Sequence, residues 1–149
     1  MRHKGKLFVI KTKIRKILVP LDGSKNAFRG LDIAIYLARQ CGATIIGLFV
    51  MPIYPKSLVP ITYDEKYLSK AAKDFMANAK KQAAQNGIVF VGKSIIGKES
   101  SEIVDFAAKN KFDIIVIGAR GLGSVKEVFL GSVSNAVVHK SKVPVLIVK

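Results

Sequence analysis

A chain of 149 residues, half of them hydrophobic, carries enough apolar material for one domain with a sizeable core and excludes a disordered chain. Its single cysteine, Cys41, excludes an internal disulfide framework and a cysteine-based metal cluster and suits a reducing compartment; it reads as a small buried filler at a helix end. The formal charge is +15, but residues 1–16 hold seven basic side chains and no acid, so nearly half of the excess sits in an arm.

The arm has one apolar run, Leu7 to Ile10, too short for a secretory core or a membrane span. The expected location is therefore the cytoplasm. Lys16 to Asp22 reads as a buried strand ending in a polar turn, and Ser24 offers a helix N-cap. Ala27, Leu31, Ala34 and Ala38 recur on one helical face until Gly42 supplies the stop. Thr44 to Val50 is a short apolar run suited to a strand covered on both faces.

From Met51 to Ile61, Pro52, Pro55 and Pro60 predict a long loop, and Thr62 to Glu65 has the spacing of a capping box. The helix that follows places Leu68, Ala72, Phe75, Ala79 and Ala83 on one stripe and ends near Gly87. Ile88 to Ile95 reads as a third strand, Glu99 to Asn110 as a third helix and Asp113 to Ile117 as a fourth strand. A fourth helix over Ser132 to Lys140 and a last strand over Pro144 to Val148 complete the pattern. Strands alternating with helices predict an α/β fold, a single doubly wound, parallel five-stranded sheet with helices on both faces. Such sheets hold ligands outside the carboxyl ends of the strands, where strand order reverses.

The stretch from Ile114 to Asn135 is the most informative about function. A buried strand empties into a glycine turn, Gly118 to Gly121, and after a loop the run Gly131-Ser132-Val133-Ser134 opens a helix. At Gly118 and Gly121 a side chain would block the close approach of a ligand. A helix start leaves about four N–H groups without intrahelical partners and carries the positive end of the dipole, which makes it a phosphate seat.

The spacing Gly118, two residues, Gly121, nine residues, Gly131-Ser132 resembles the nucleotide motif of the universal stress protein family, in the type that holds ATP. Lys16 to Ser24, Leu48 to Val50 and Lys142 to Val148 are similar to that family's first, second and closing strands. The likeness runs from about Lys13 to Lys149 and leaves residues 1–12 outside as a basic N-terminal arm. It implies a Rossmann-like sheet of strand order 3-2-1-4-5, with Asp22 in the nucleotide site and Val50 and Ile117 against the adenine, walled by Pro20. Ala119 stands where the family often has a small hydroxyl residue.

Other features need weighing against simpler readings. Gly87 to Ser94 satisfies the literal P-loop pattern, but its Ile-Val-Phe-Val centre is a strand that would direct its amides into a sheet ladder. As a turn residue Asp22 would support the cap; as a site residue its carboxylate would repel phosphate and should meet ribose hydroxyls or the adenine amino group. Arg120 and Lys126 are secondary candidates for phosphate charge, and His139 reads as a solvated residue late in a helix.

Nothing in the sequence identifies a group that would position water for hydrolysis. The expected function is therefore an ATP-binding regulatory module of the stress response, at most a weak ATPase. ATP or AMP would be the ligand, with Mg2+ bridging phosphate oxygens. The alternative is an interaction scaffold whose basic arm holds nucleic acid, against which stands the bland reading of a solvated terminus. The last strand, at the sheet's edge, predicts a homodimer.

Overall fold

A computed structural model describes residues 13–53, 65–122 and 129–149. The basic arm, Pro55, Pro60, the capping box up to Asp64 and Lys126 lie outside the described residues.

Apolar runs bounded by turn residues form β1 (Lys16–Pro20), β2 (Thr44–Pro52), β4 (Ile114–Gly118) and β5 (Val145–Val148), and a mixed run with Lys93 and Ser94 at its centre forms β3 (Phe90–Gly97). Segments with helical periodicity form α1 (Lys25–Cys41), α2 (Glu65–Gln85), α3 (Glu99–Lys109) and α4 (Ser132–Lys140). All strand pairs are parallel and the order is β3-β2-β1-β4-β5, so the expected architecture holds.

Alternation along the strands divides the core into two layers. Ile17, Val19, Ile45 and Val116 face α1 and α2, where Leu31, Ala34, Ala38, Ala79 and Ala83 cover them. Leu18, Ile46, Leu48, Val50, Ile115 and Ile117 face the other way, onto Ile103 and Ala107 of α3 and Val137 of α4. Helix α1 starts on Ser24, whose hydroxyl accepts from Ala27 N at 3.1 Å, and stops at Gly42, which is left-handed at φ 68°. Cys41 is half-buried at the rim of the first layer.

Boundaries of α3, β4 and β5 differ from expectation by one residue, and those of β2 and β3 by two. Strand β2 runs on to Pro52, which the prolines of the following segment had assigned to a loop; Pro52 pairs with Gly97 at the end of the ladder, where a missing N–H is tolerated. Strand β3 begins at Phe90 rather than Ile88, because Ile88 N still donates to Ala83 O at 2.9 Å in the closing turn of α2. It then continues to Gly97, carried by pairing with β2. The P-loop look-alike falls inside this ladder, with Gly92, Lys93 and Ser94 paired to Gly47, Leu48 and Phe49.

Candidate functional site

Strand β1 lies between β2 and β4, and its exit is followed by α1 on one face while β4 leads towards α4 on the other. The point of reversal is therefore the gap between the exits of β1 and β4. Asp22 and Gly118 stand there.

Asp22 ties the two exits together. Its Oδ1 accepts from Ser24 N at 2.9 Å within its own turn, and its Oδ2 accepts from Leu122 N at 3.1 Å in the loop after β4. The turn reading of Asp22 holds, and the bond to Leu122 adds a tie across the gap between the two strand exits. A carboxylate offers about four lone-pair positions, so two protein donors leave capacity for ligand hydroxyls or an amino group.

Two of the glycines lie in close contact with the rest of the protein. A Cβ on Gly118 would lie 2.7 Å from both C and O of Asn26 and 2.9 Å from Ala27 N, so β4 touches the backbone of the first turn of α1. A Cβ on Gly121 would lie 2.5 Å from Asp22 Oδ2. At these two positions the atoms nearest an added side chain belong to α1 beside Gly118 and to the Asp22 carboxylate beside Gly121.

The start of α4 is brought to the crevice through a single carbonyl. Ala119 O accepts from Gly131 N at 2.7 Å and from Ser134 Oγ at 2.6 Å, and Ser134 Oγ also reaches Gly131 O at 3.1 Å. Ala119 itself is buried and its N–H donates to Val148 O at 2.7 Å, so β5, β4 and α4 are pinned at one residue. The sequence places small hydroxyl residues where they would cap this helix and offer hydroxyls to a phosphate, and the geometry differs in two respects. The N-cap is Gly131, with no side-chain cap, rather than a hydroxyl residue. Ser134, 3% exposed, directs its hydroxyl inward, which leaves its backbone N–H as the group it can offer a ligand. The N–H groups of Ser132, Val133 and Ser134 occupy the first turn and have no intrahelical acceptors; the first ladder bond is Asn135 N to Gly131 O at 2.9 Å. Ser132 is exposed and Val133 half-buried.

Pro20, Val50 and Ile117 are all buried. By strand alternation Pro20 shares the face of Leu18, and Val50 and Ile117 pack in that same α3/α4 layer, so the three lie on one side of the sheet, the side from which α4 presents its first turn. Arg120 is half-buried, and His139 is exposed in the last turn of α4.

A second carboxyl escaped the reading of the sequence. Glu99 opens α3 at the exit of β3, and burial, reinforced by the charge of Asp22, raises its pKa above the ordinary carboxylate value. Its position at the carboxyl end of the sheet was the available signal; in sequence it looked like any acid in a first helical turn. Among the described residues no cluster of three or more His, Cys, Asp or Glu side chains could hold a metal ion, and no helix is long and apolar enough to cross a membrane.

A five-stranded parallel sheet of order 3-2-1-4-5 with helices on both faces defines a Rossmann-like α/β domain. Residues 13–149 match the Universal stress protein family, and the chain belongs to it. It is 33% identical over 145 residues to universal stress protein YxiE of Bacillus subtilis, covering 90% of this chain and 98% of the relative. Among solved structures it resembles protein MJ0577, with a TM-score of 0.77 and 31% identity over 91% of this chain and 95% of the other. A curated protein of that name comes from Methanocaldococcus jannaschii. The fold is also that of a universal stress protein from Archaeoglobus fulgidus in complex with dAMP, at TM-score 0.68, 22% identity and coverage of 93% and 99%.

Proposed function

We propose that this chain is a nucleotide-dependent regulatory module that binds ATP, or AMP, between the exits of β1 and β4 without efficient hydrolysis. The observation that carries the reading is the open first turn of α4, three N–H groups at the positive end of a helix, facing the crevice that Asp22 borders. Phosphates would take the amides of Ser132, Val133 and Ser134, with Gly118, Gly121 and Gly131 forming the backbone wall. Asp22 would receive the ribose hydroxyls, and the adenine would lie against Pro20, Val50 and Ile117, an apolar slot with polar edges. With no protein cage of three carboxylates or imidazoles among the described residues, Mg2+ would be held mainly by phosphate oxygens and water. The Archaeoglobus protein of the same fold holds dAMP, so a sheet of this architecture accommodates an adenine nucleotide.

Titration calorimetry with ATP on the wild type and on Gly131→Val is the test. The wild type should bind and the variant, whose added side chain stands at a buried N-cap, should lose at least tenfold in affinity while circular dichroism shows the fold retained. Equal affinity in both proteins would remove the site.

The same reading includes a homodimer through β5. Among the described residues this strand pairs with β4 alone, and its four residues are each half-buried. Pro144 O and Val148 O accept from Ile115 N and Ala119 N, so by alternation Leu146 also turns towards β4 while Val145 and Ile147 aim their backbone groups outward. Two copies meeting edge to edge would satisfy both rows. Light scattering should give about twice the 16.2 kDa chain mass for the wild type and the monomer mass for Ile147→Pro, which deletes an outward donor and spares the ladder to β4. A wild-type mass near that of one chain at micromolar concentration contradicts this assembly.

A further inference from the structure

Helix α2 combines two faces with different roles. Ala72, Ala79 and Ala83, between 0% and 4% exposed, pack towards the sheet. Lys70, Lys73, Lys80 and Lys81 are exposed, and at 3.6 residues per turn they fall within about 100° of arc on the side away from those alanines. They extend over about 17 Å of helix axis. Asp74 is exposed at the margin of the stripe and is the one acid in this part of the helix; Ala77, also exposed, lies along its middle and adds no charge. Among the described residues none of the four ammonium groups is paired with a carboxylate, and the nearest acid on a packed neighbour, Asp32 of α1, accepts from Gln82 instead.

We infer that this α2 stripe is an interaction surface for the phosphate backbone of a nucleic-acid duplex. A duplex carries one negative charge per roughly 1.7 Å of axis, so a stripe of this length meets a dense row of phosphates and releases their counterions. Four lysines supply point charges with no planar fork to read base edges, which makes the binding independent of sequence. Two alternatives fit less well. A membrane-surface helix needs its apolar face free to insert, and that of α2 is spent on the core. A single strand needs stacking rings, and the exposed stripe holds no aromatic side chain. The stripe lies over β2 and β3, at the opposite side of the sheet from β5, so it stays open whether or not two chains pair through that strand.

Fluorescence anisotropy with a labelled 20-base-pair DNA duplex, using the full chain at several salt concentrations, tests the assignment. The wild type should bind with a steep salt dependence. The variant Lys70→Gln/Lys73→Gln/Lys80→Gln/Lys81→Gln should lower the slope of log K against log salt by about 3 to 4, near 0.9 per lost phosphate contact. Asp74→Lys, a gentler change, should steepen it by about one unit. A quadruple variant that folds and keeps the wild-type slope would assign the binding to the basic arm and overturn the inference. So would a wild type that ignores the duplex, or one that binds anionic phosphatidylserine vesicles and leaves the duplex free.

Discussion

Gly118→Ala is expected to destabilise the protein by about 3 kcal/mol, a drop in melting temperature of roughly 6–12 °C for a domain of this size. One methyl group is enough because its neighbours are backbone atoms of Asn26 and Ala27, at 2.7 to 2.9 Å, rather than the end of a flexible side chain. Helix α1 cannot easily withdraw: its first turn is fixed by the Ser24 cap, and Ala27 and Leu31, just beyond, are buried in the layer against the sheet. Strand β4 cannot withdraw either, since it is hydrogen-bonded between β1 and β5. Thermal unfolding followed by circular dichroism gives the answer. A shift under about 2 °C would mean that one of these elements yields, and that the contact is softer than its distances imply.

Asp22→Ala is expected to reduce ATP affinity at least tenfold, about 1.4 kcal/mol, and to lower stability by about 1–2 kcal/mol. Two backbone donors, Ser24 N and Leu122 N, lose a charged acceptor. The stability cost is moderated because the bond to Leu122 is exposed and water can replace it. The affinity cost arises because the loop after β4 is released from the turn before α1, so a ligand between them must order both. Calorimetry on Asp22→Ala and Asp22→Asn separates the contributions: the asparagine keeps one acceptor oxygen and should fall between wild type and alanine. Affinity unchanged or tightened in the alanine variant would confine Asp22 to capping.

The elements that were legible in sequence are those whose signals are local. Helix α1 announced itself by a serine cap, a 3.6-residue apolar period and a stop glycine, all of which act within a few residues; α4, without a side-chain cap or a stop glycine, was placed by the glycine turn before it and by the apolar strand after it. The strand order became readable once the glycine spacing carried the family resemblance. What escaped is set by contacts between distant segments. Ladder pairing carried β2 through Pro52 and moved β3 two residues along, and no local preference encodes a partner's register. Ser134 carries the residue type expected of a phosphate ligand, yet its hydroxyl turns towards Ala119, fifteen residues earlier. Glu99 became conspicuous only when the fold set it near Asp22.

The bond from Leu122 N to Asp22 Oδ2 closes a separation of 100 residues, and β1 pairs with β4 across a similar span. Contacts this far apart in the chain form slowly, and during synthesis the amino-terminal strand must wait until most of the polypeptide has been made before its second neighbour exists. Strands β1, β2 and β3, with α1 and α2, can assemble earlier, but they leave one edge of β1 unpaired and Asp22 without its distal donor. A ligand bound at the proposed site would therefore bind only chains in which β4 has joined β1, and by mass action would favour the complete fold over shorter intermediates.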